Sequence, residues 1–223
     1  ALALITSGRL HHGRFKRISG KPLEDLYPAC FPNREFTPYA RREKAMLAYD
    51  RWDIGNKPLI FLDLLEKIDE GIKLKIGGFW HPEAIKDEFV GESERRKLKS
   101  RIELLGPLDE NMILGLCSRV MLHLHPNEEA FGMQTLEAAA CGCCVIIPAG
   151  SGVTDLFEHG IHGFFPEKGN LPELINYVKT VFEDTGKAEK MGRMAWETAK
   201  KHTWAAYAER LEGIIKEYAD AKN

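Results

Sequence analysis

Apolar runs of strand length alternate with helix-spaced apolar stripes along most of this 223-residue chain. Met46-Leu47-Ala48-Tyr49, Leu74-Lys75-Ile76 ending in Gly77-Gly78, Ile102 to Leu105 ending in Gly106-Pro107-Leu108, Val120 to Leu124 and Cys144 to Ile147 read as strands. Between them, Leu59, Leu62, Leu65 and Ile68 form a helical stripe opened by Pro58, and Asp109 N-caps a helix carrying Met112, Ile113 and Leu116. Met133 to Cys141 is made of strong helix formers stopped by Gly142. Glu92 to Arg101, with Arg95, Arg96, Lys97, Lys99 and Arg101, reads as a charged, solvated helix. Asn170-Leu171-Pro172 opens an amphipathic helix through Leu174, Ile175 and Val178, and Thr203-Trp204 begins a last one striped by Tyr207, Leu211, Ile214, Ile215 and Tyr218. Ala1 to Ser7 reads as a further strand, and Lys21 to Pro38, with Pro22, Pro28, Pro32 and Pro38, as a linker. Strand and helix alternate from Ala45 to about Gly186, which predicts the α/β class, a doubly wound parallel sheet with helices on both faces.

The chemistry concentrates in one crossover, His125 to Pro148. A strand precedes its loop, a helix follows, and a strand closes it, so ligands belong at its carboxyl-end loop, Pro126 to Gly132. Free N–H groups at the helix start attract anions, and Gly132 admits a ligand close to the backbone. Glu129 and Glu137 flank that point. They are suited to hydroxyls on either side of a phosphate, which describes a nucleotide-sugar. Glutamate in a first helical turn also stabilises the helix dipole without any ligand, and the spacing alone favours that plainer account.

Composition narrows the field. Hydrophobic content of 44% and charged content of 29% fit an ordinary globular chain, and a net charge of −2 gives no reason to expect nucleic acid. No apolar run approaches the ~20 residues needed to span a bilayer. Five cysteines, three of them crowded at Cys141, Cys143 and Cys144, read as small apolar side chains of a reducing cytoplasm rather than as a disulfide framework or a zinc site. The basic run Arg9 to Ile18, with His11, His12, Arg14, Lys16 and Arg17, reads as a solvated face, with a membrane- or phosphate-facing patch as the alternative. His123 and His125, two apart on one strand face and followed by Glu128 and Glu129, raise a metal site that is outweighed by backbone-bonded strand histidines. Phe79-Trp80-His81-Pro82 is read as capping the core or edging a base.

Glu129-Ala130-Phe131-Gly132-Met133, Leu136-Glu137-Ala138-Ala139-Ala140, Gly142 and Val145-Ile146 together resemble the signature of the group 1 retaining glycosyltransferases, family 4, of GT-B fold. Ala130 stands where that pattern has Gly, and Cys144 where it has Pro. The resemblance extends over residues 20 to 220. It takes in Arg51 and Lys57, similar to an R-x4-K element one residue longer with Asn56 at the usual Lys, the glycine turn at Gly78, and the strand end Gly106-Pro107-Leu108. It also takes in Gly150 to Asp155, similar to a G-G-x-x-E segment, and Gly160 to Phe165, a hairpin-like element.

The resemblance implies a Rossmann-like sheet forming one half of a GT-B enzyme. Residues 1–25 would be the remnant strand and helix of a missing N-terminal acceptor domain, 26–44 an interdomain linker, 45–202 the donor domain, and 203–223 a helix crossing back to the first domain. It implies transfer of a hexose such as mannose or glucose from a nucleoside-diphosphate sugar with retention, without metal or other cofactor. Glu129 would be catalytic. Arg51 and Lys57 would hold the diphosphate with the N–H groups of Phe131, Gly132 and Met133. Gly78, Gly106, Pro107, Leu108 and His125 would line the donor, and Glu137 would take the ribose. The acceptor, a sugar, lipid-linked or polysaccharide, would bind mainly the missing domain. Localisation would be cytoplasmic, with peripheral contact at the inner membrane face in the full-length protein, and the chain alone would bind donor yet transfer poorly. A nicotinamide dehydrogenase is disfavoured because no G-x-G-x-x-G follows the first strand, and a phosphorylase because no pyridoxal phosphate lysine signature is evident. A sugar-nucleotide epimerase on the same fold and a non-catalytic binding module remain as alternatives.

Overall fold

The computed structural model describes residues 3–9, 12–30 and 34–220. His11, Pro32 and the side chain of Arg14, which the basic run and the proline-rich segment include, lie outside that description. The chain opens with β1 (Leu4–Thr6), α1 (His12–Ser19) and β2 (Leu23–Asp25), and β1 pairs parallel with β2 in a sheet of their own. The main sheet follows, built from β3 (Glu43–Trp52), α2 (Ile60–Leu65), β4 (Lys73–Trp80), α3 (Glu83–Arg95), β5 (Ile102–Gly106), α4 (Glu110–Cys117), β6 (Val120–Leu124), α5 (Met133–Ala140), β7 (Cys144–Ile146) and β8 (Gly163–Phe164). Three helices end the chain, α6 (Leu171–Glu183), α7 (Thr185–Ala199) and α8 (Trp204–Asp220).

Six strands pair in the order β5-β4-β3-β6-β7-β8, all parallel. The order reverses between β3 and β6, where a doubly wound sheet opens its crevice. Alternation along β3 explains the two faces. Met46 and Ala48 point into a cluster with Phe61, Leu62 and Val178, while Leu47 and Tyr49 point into one with Leu136, Ala139 and Ala195. Each large side chain so buried contributes roughly 1.5–3 kcal/mol. Trp80 meets Trp52 at 5.9 Å and Phe89 at 5.3 Å, so it caps the core, while Phe79 is left exposed.

Several segments differ from the expectation. The charged helix is α3, ending at Arg95 rather than spanning 92–101, because Lys97 takes a φ of 59° and the chain turns. Arg101 is not solvated: its guanidinium is buried and donates to the carbonyls of Ile72, Leu65 and Asp69. Gly160 to Phe165 forms no hairpin; β8 joins β7 in parallel after a tight turn closed by Gly160 N–H to the Gly163 carbonyl. Gly77 and Gly78 lie inside β4, which runs on to Trp80, instead of ending it. The final stripe is only partly core, with Ile214 buried and Ile215 exposed.

The proline-rich segment is more than a connector. Arg42 is buried and donates to the carbonyls of Thr37, Cys117, Val120 and Cys141, tying together the C-terminal ends of α4 and α5. Its guanidinium lies over the rings of Phe36 and Tyr39. The last helix, α8, contacts the small sheet: Arg210 pairs with Glu24 of β2 at 2.8 Å, and the Tyr218 hydroxyl donates to the same carboxylate at 2.8 Å. No helix of the described residues is long and apolar enough to cross a membrane.

Candidate functional site

The carboxyl ends of β3 and β6 meet at the switch point and bring Asp50 and His125 together. His125 is buried, and its Nε2 lies 3.2 Å from Asp50 Oδ2 and 3.3 Å from Glu129 Oε1. Its Nδ1 lies 2.9 Å from the Asn127 carbonyl oxygen. Asp50 is anchored twice more, accepting from the Arg51 N–H at 2.7 Å and from Asn56 Nδ2 at 2.8 Å. Burial opposes a charge on His125, but the Asp50 hydrogen bond, the Asn127 carbonyl and Glu129 outweigh it and hold the ring above the ordinary imidazole value. Burial raises the Glu129 carboxyl above the usual glutamate value; His125 pulls it back and Asp50 pushes it further up.

His123 separates from this group. Fully buried against the Tyr49 ring at 5.2 Å, it is pushed down to about 3, by burial first and then by His125. Its ring nitrogens make no hydrogen bond of ordinary geometry among the described residues, although the Leu47 backbone weakly opposes the downward shift, while the His125 ring bonds the Asn127 carbonyl. Asp50, His125 and Glu129 have atoms within 4.8 Å of one another; the His125 Nε2 hydrogen-bonds Asp50 at 3.2 Å, and Glu129 stands at 3.3 Å as an ion-pair contact.

The loop carrying Glu129 is clamped from the next crossover. The Glu129 N–H donates to Ser151 Oγ at 3.1 Å, the Gly152 N–H donates to the Glu129 carbonyl at 3.1 Å, and the Val153 N–H donates to the Phe131 carbonyl at 2.6 Å. Asp155, at the far end of that segment, instead accepts from the Arg9 N–H at 2.6 Å. Gly132 caps α5 with a φ of 104°, a left-handed conformation in which a Cβ would meet Val153 at 3.1 Å and Ile147 at 3.2 Å. Among the described residues no acceptor takes the N–H groups of Phe131, Gly132 or Met133. Those donors are left without one at a helix N-terminus, the first of them two residues after Glu129.

Glu137 lies on the same helix, half-buried. Burial first, then Glu110 at the start of α4, raises its carboxyl above the usual value. It thus faces the α4 side, near the end of β5. Gly106 closes β5 with open space around it, and Leu108 folds back over Gly77. Leu108 also lines a cavity of about 470 Å3 with Lys75, Glu103 and Met112. Gly78 packs closely on Asp50: an added Cβ would fall 1.8 Å from the Asp50 carbonyl oxygen.

The two expected cations part company. Arg51 is exposed and pairs with Asp53 at 3.1 Å. Lys57 forms no ion pair among the described residues and, with Asp53, Asn127 and Lys168, lines a cavity of about 590 Å3 that excludes both glutamates. Asn56, at the lysine position of the pattern, turns inward to Asp50 and to the Arg51 carbonyl. Sequence reasoning missed Asp50, Asn127 and Ser151, and met Asn56 only as the residue at the usual Lys position. Their only signal is position, at strand ends and in the loops that follow them.

Residues 53–198 match the family model described as "Glycosyl transferases group 1". The chain is 29% identical over 132 residues to the phosphatidylinositol N-acetylglucosaminyltransferase gpi3 subunit of Schizosaccharomyces pombe, covering 58% of this chain and 28% of that protein. It is 31% identical over 100 residues to the GDP-mannose-dependent alpha-mannosyltransferase of Corynebacterium glutamicum, covering 44% and 24%. Among solved structures, Anabaena HepE in complex with UDP and glucose superposes with a TM-score of 0.85 at 21% identity, over 97% of this chain and 64% of that one. The chain therefore spans less than a third of these two curated relatives.

Proposed function

Since the chain belongs to the group 1 glycosyl transferases, we propose that it is the donor-binding half of an enzyme that moves a hexosyl group from a nucleoside-diphosphate sugar to an acceptor with retention. What supports this reading is the start of α5 at the switch point, whose first N–H groups have no acceptor among the described residues, on the helix that carries Glu137 and next to the loop that carries Glu129. The diphosphate docks on the N–H groups of Phe131, Gly132 and Met133, where oriented donors stabilise the charge of the departing group. Lys57, which has no ion-pair partner to give up among the described residues, joins them after a loop movement, and Arg51 joins by releasing Asp53. Glu129 accepts from donor-sugar hydroxyls and supports the positive charge that glycosyl transfer develops at the anomeric carbon. Glu137 accepts from the ribose, with the base beyond it along Gly106 to Leu108.

This assignment uses cationic side chains and backbone donors in place of a metal. The nucleotide and sugar named for HepE, and the sugars named for the two transferases, support a nucleotide-sugar ligand. The acceptor binds mainly outside this chain, so the chain alone binds donor and transfers sugar poorly. Calorimetric titration with UDP-, GDP- and ADP-sugars tests the reading. One nucleotide is expected to bind, and Glu137→Ala is expected to weaken nucleotide and nucleotide-sugar alike by tenfold or more, about 1.4 kcal/mol. Binding of none of the three would leave a non-catalytic module on the same fold.

A further inference from the structure

We propose that Asp50 is a positioning residue: it keeps the buried His125 ring as an imidazolium, and that ring fixes Glu129 for the donor sugar. The inference deepens the donor-binding reading and rests on it for its functional half.

The argument is one of hydrogen-bond satisfaction. The Asn127 carbonyl oxygen 2.9 Å from His125 Nδ1 can only accept, so Nδ1 carries a proton. The other nitrogen, Nε2, faces two carboxylate oxygens, Asp50 Oδ2 at 3.2 Å and Glu129 Oε1 at 3.3 Å. Ionised carboxylates also only accept, so a bare lone pair on Nε2 would face two acceptors inside a buried site. A second proton resolves the conflict, and the ring becomes a donor at both ends. Asp50 is placed to hold that charge because its carboxylate is fixed: Oδ1 accepts from the Arg51 N–H, and Oδ2, which faces the ring, also accepts from the Asn56 amide. Asn127 Nδ2 in turn donates to the Asn56 carbonyl at 3.0 Å, locking the two loops together.

The other titratable groups near the ring add no cation. His123 on the same strand stays neutral, and Glu167, across a small cavity that His125 also lines, is acidic. The three-residue group therefore carries a net charge of one negative rather than two when His125 is protonated. One oxygen of Glu129 is held by the ring and the other is left for donor hydroxyls, beside a position meant for a diphosphate. With a neutral ring the two carboxylates would repel each other and the donor.

The charge state is read directly by NMR titration of the His125 imidazole in this chain, without nucleotide. The ring is expected to remain protonated on both nitrogens at pH 7, and Asp50→Asn is expected to lower its midpoint by more than a pH unit, with Asp50→Glu restoring much of it. A His125 ring that is neutral at pH 7 in the unsubstituted chain overturns the proposal, whether or not the variants fold. So does an unmoved midpoint in a folded Asp50→Asn chain. So does selective bleaching of the His125 signals by micromolar Mn2+, which would put a cation where the proton belongs. For function, Asp50→Asn is expected to weaken binding of the preferred nucleotide-sugar about tenfold at pH 7 and to regain it at lower pH, as the ring recovers its proton. If no nucleotide binds the unsubstituted chain, the donor assignment fails while the imidazolium can still be seen.

Discussion

Burial and the neighbouring Glu110 raise the Glu137 carboxyl, so the folded state disfavours its charge while the unfolded state does not. The sign follows by linkage: stability attached to this group is full below the unfolded value near ~4.3 and is lost as pH rises through the higher folded value. Glu137→Gln removes that loss. Its melting temperature should exceed that of the unsubstituted chain at pH 8, the gain should shrink toward about pH 4, and nucleotide affinity should fall. A variant that binds less well and also melts lower would assign Glu137 a structural role. At this scale the sequence made Glu129 and Glu137 visible through spacing and residue type. Asp50 stayed hidden because an aspartate before Arg51 looks like loop polarity. Arg42, which joins two helix ends, was hidden for a similar reason: a cation in a proline-rich stretch reads as surface.

Elements with large apolar residues were legible, and those without them were not. The strands β3, β4, β5, β6 and β7 all follow runs visible in the sequence, and Asp109 and Asn170 cap α4 and α6 through their side chains as the residue types suggest. Helix α7 leaves no comparable trace, because it packs mainly through Ala188, Gly192, Ala195 and Ala199. Gly192 lies against the linker: a Cβ there would sit 2.4 Å from the Tyr39 hydroxyl and 2.7 Å from the Gly142 carbonyl oxygen. Helix propensity alone would favour alanine at this position by roughly 1 kcal/mol. Packing reverses the sign, and Gly192→Ala should destabilise the chain by about 1–3 kcal/mol in denaturant unfolding. A rise in the unfolding midpoint would show that the helix can step back from Tyr39. The misplaced end of α3 has a similar origin, since charge periodicity continues through Lys97 while the backbone does not.

Across the whole molecule, the doubly wound parallel class was legible from strand–helix alternation, while the strand order and its reversal between β3 and β6 come from the structure and set the crevice where the site lies. The small β1–β2 sheet was not predicted as a sheet; three-residue strands carry too little pattern. It is tied to α8 by one carboxylate, Glu24, which receives both Arg210 and Tyr218. Exposed pairs of this kind contribute roughly 0.2–1 kcal/mol. Combining Arg210→Ala with Tyr218→Phe should therefore speed amide exchange in β1 and β2 and leave exchange in β3 and β6 unchanged; equal acceleration in both sheets would mean that they open as one unit. Coupling across the main sheet is tighter. Gly78 of β4 lies beside Asp50 of β3, with a φ of 112°, and an added methyl would fall 1.8 Å from the Asp50 carbonyl oxygen. A mutational scan scored by nucleotide binding would thus flag Gly78 through the strand it would displace, because any side chain there collides with the Asp50 backbone. Swapping donor preference by grafting loops onto this scaffold would have to carry the inner strand along with them.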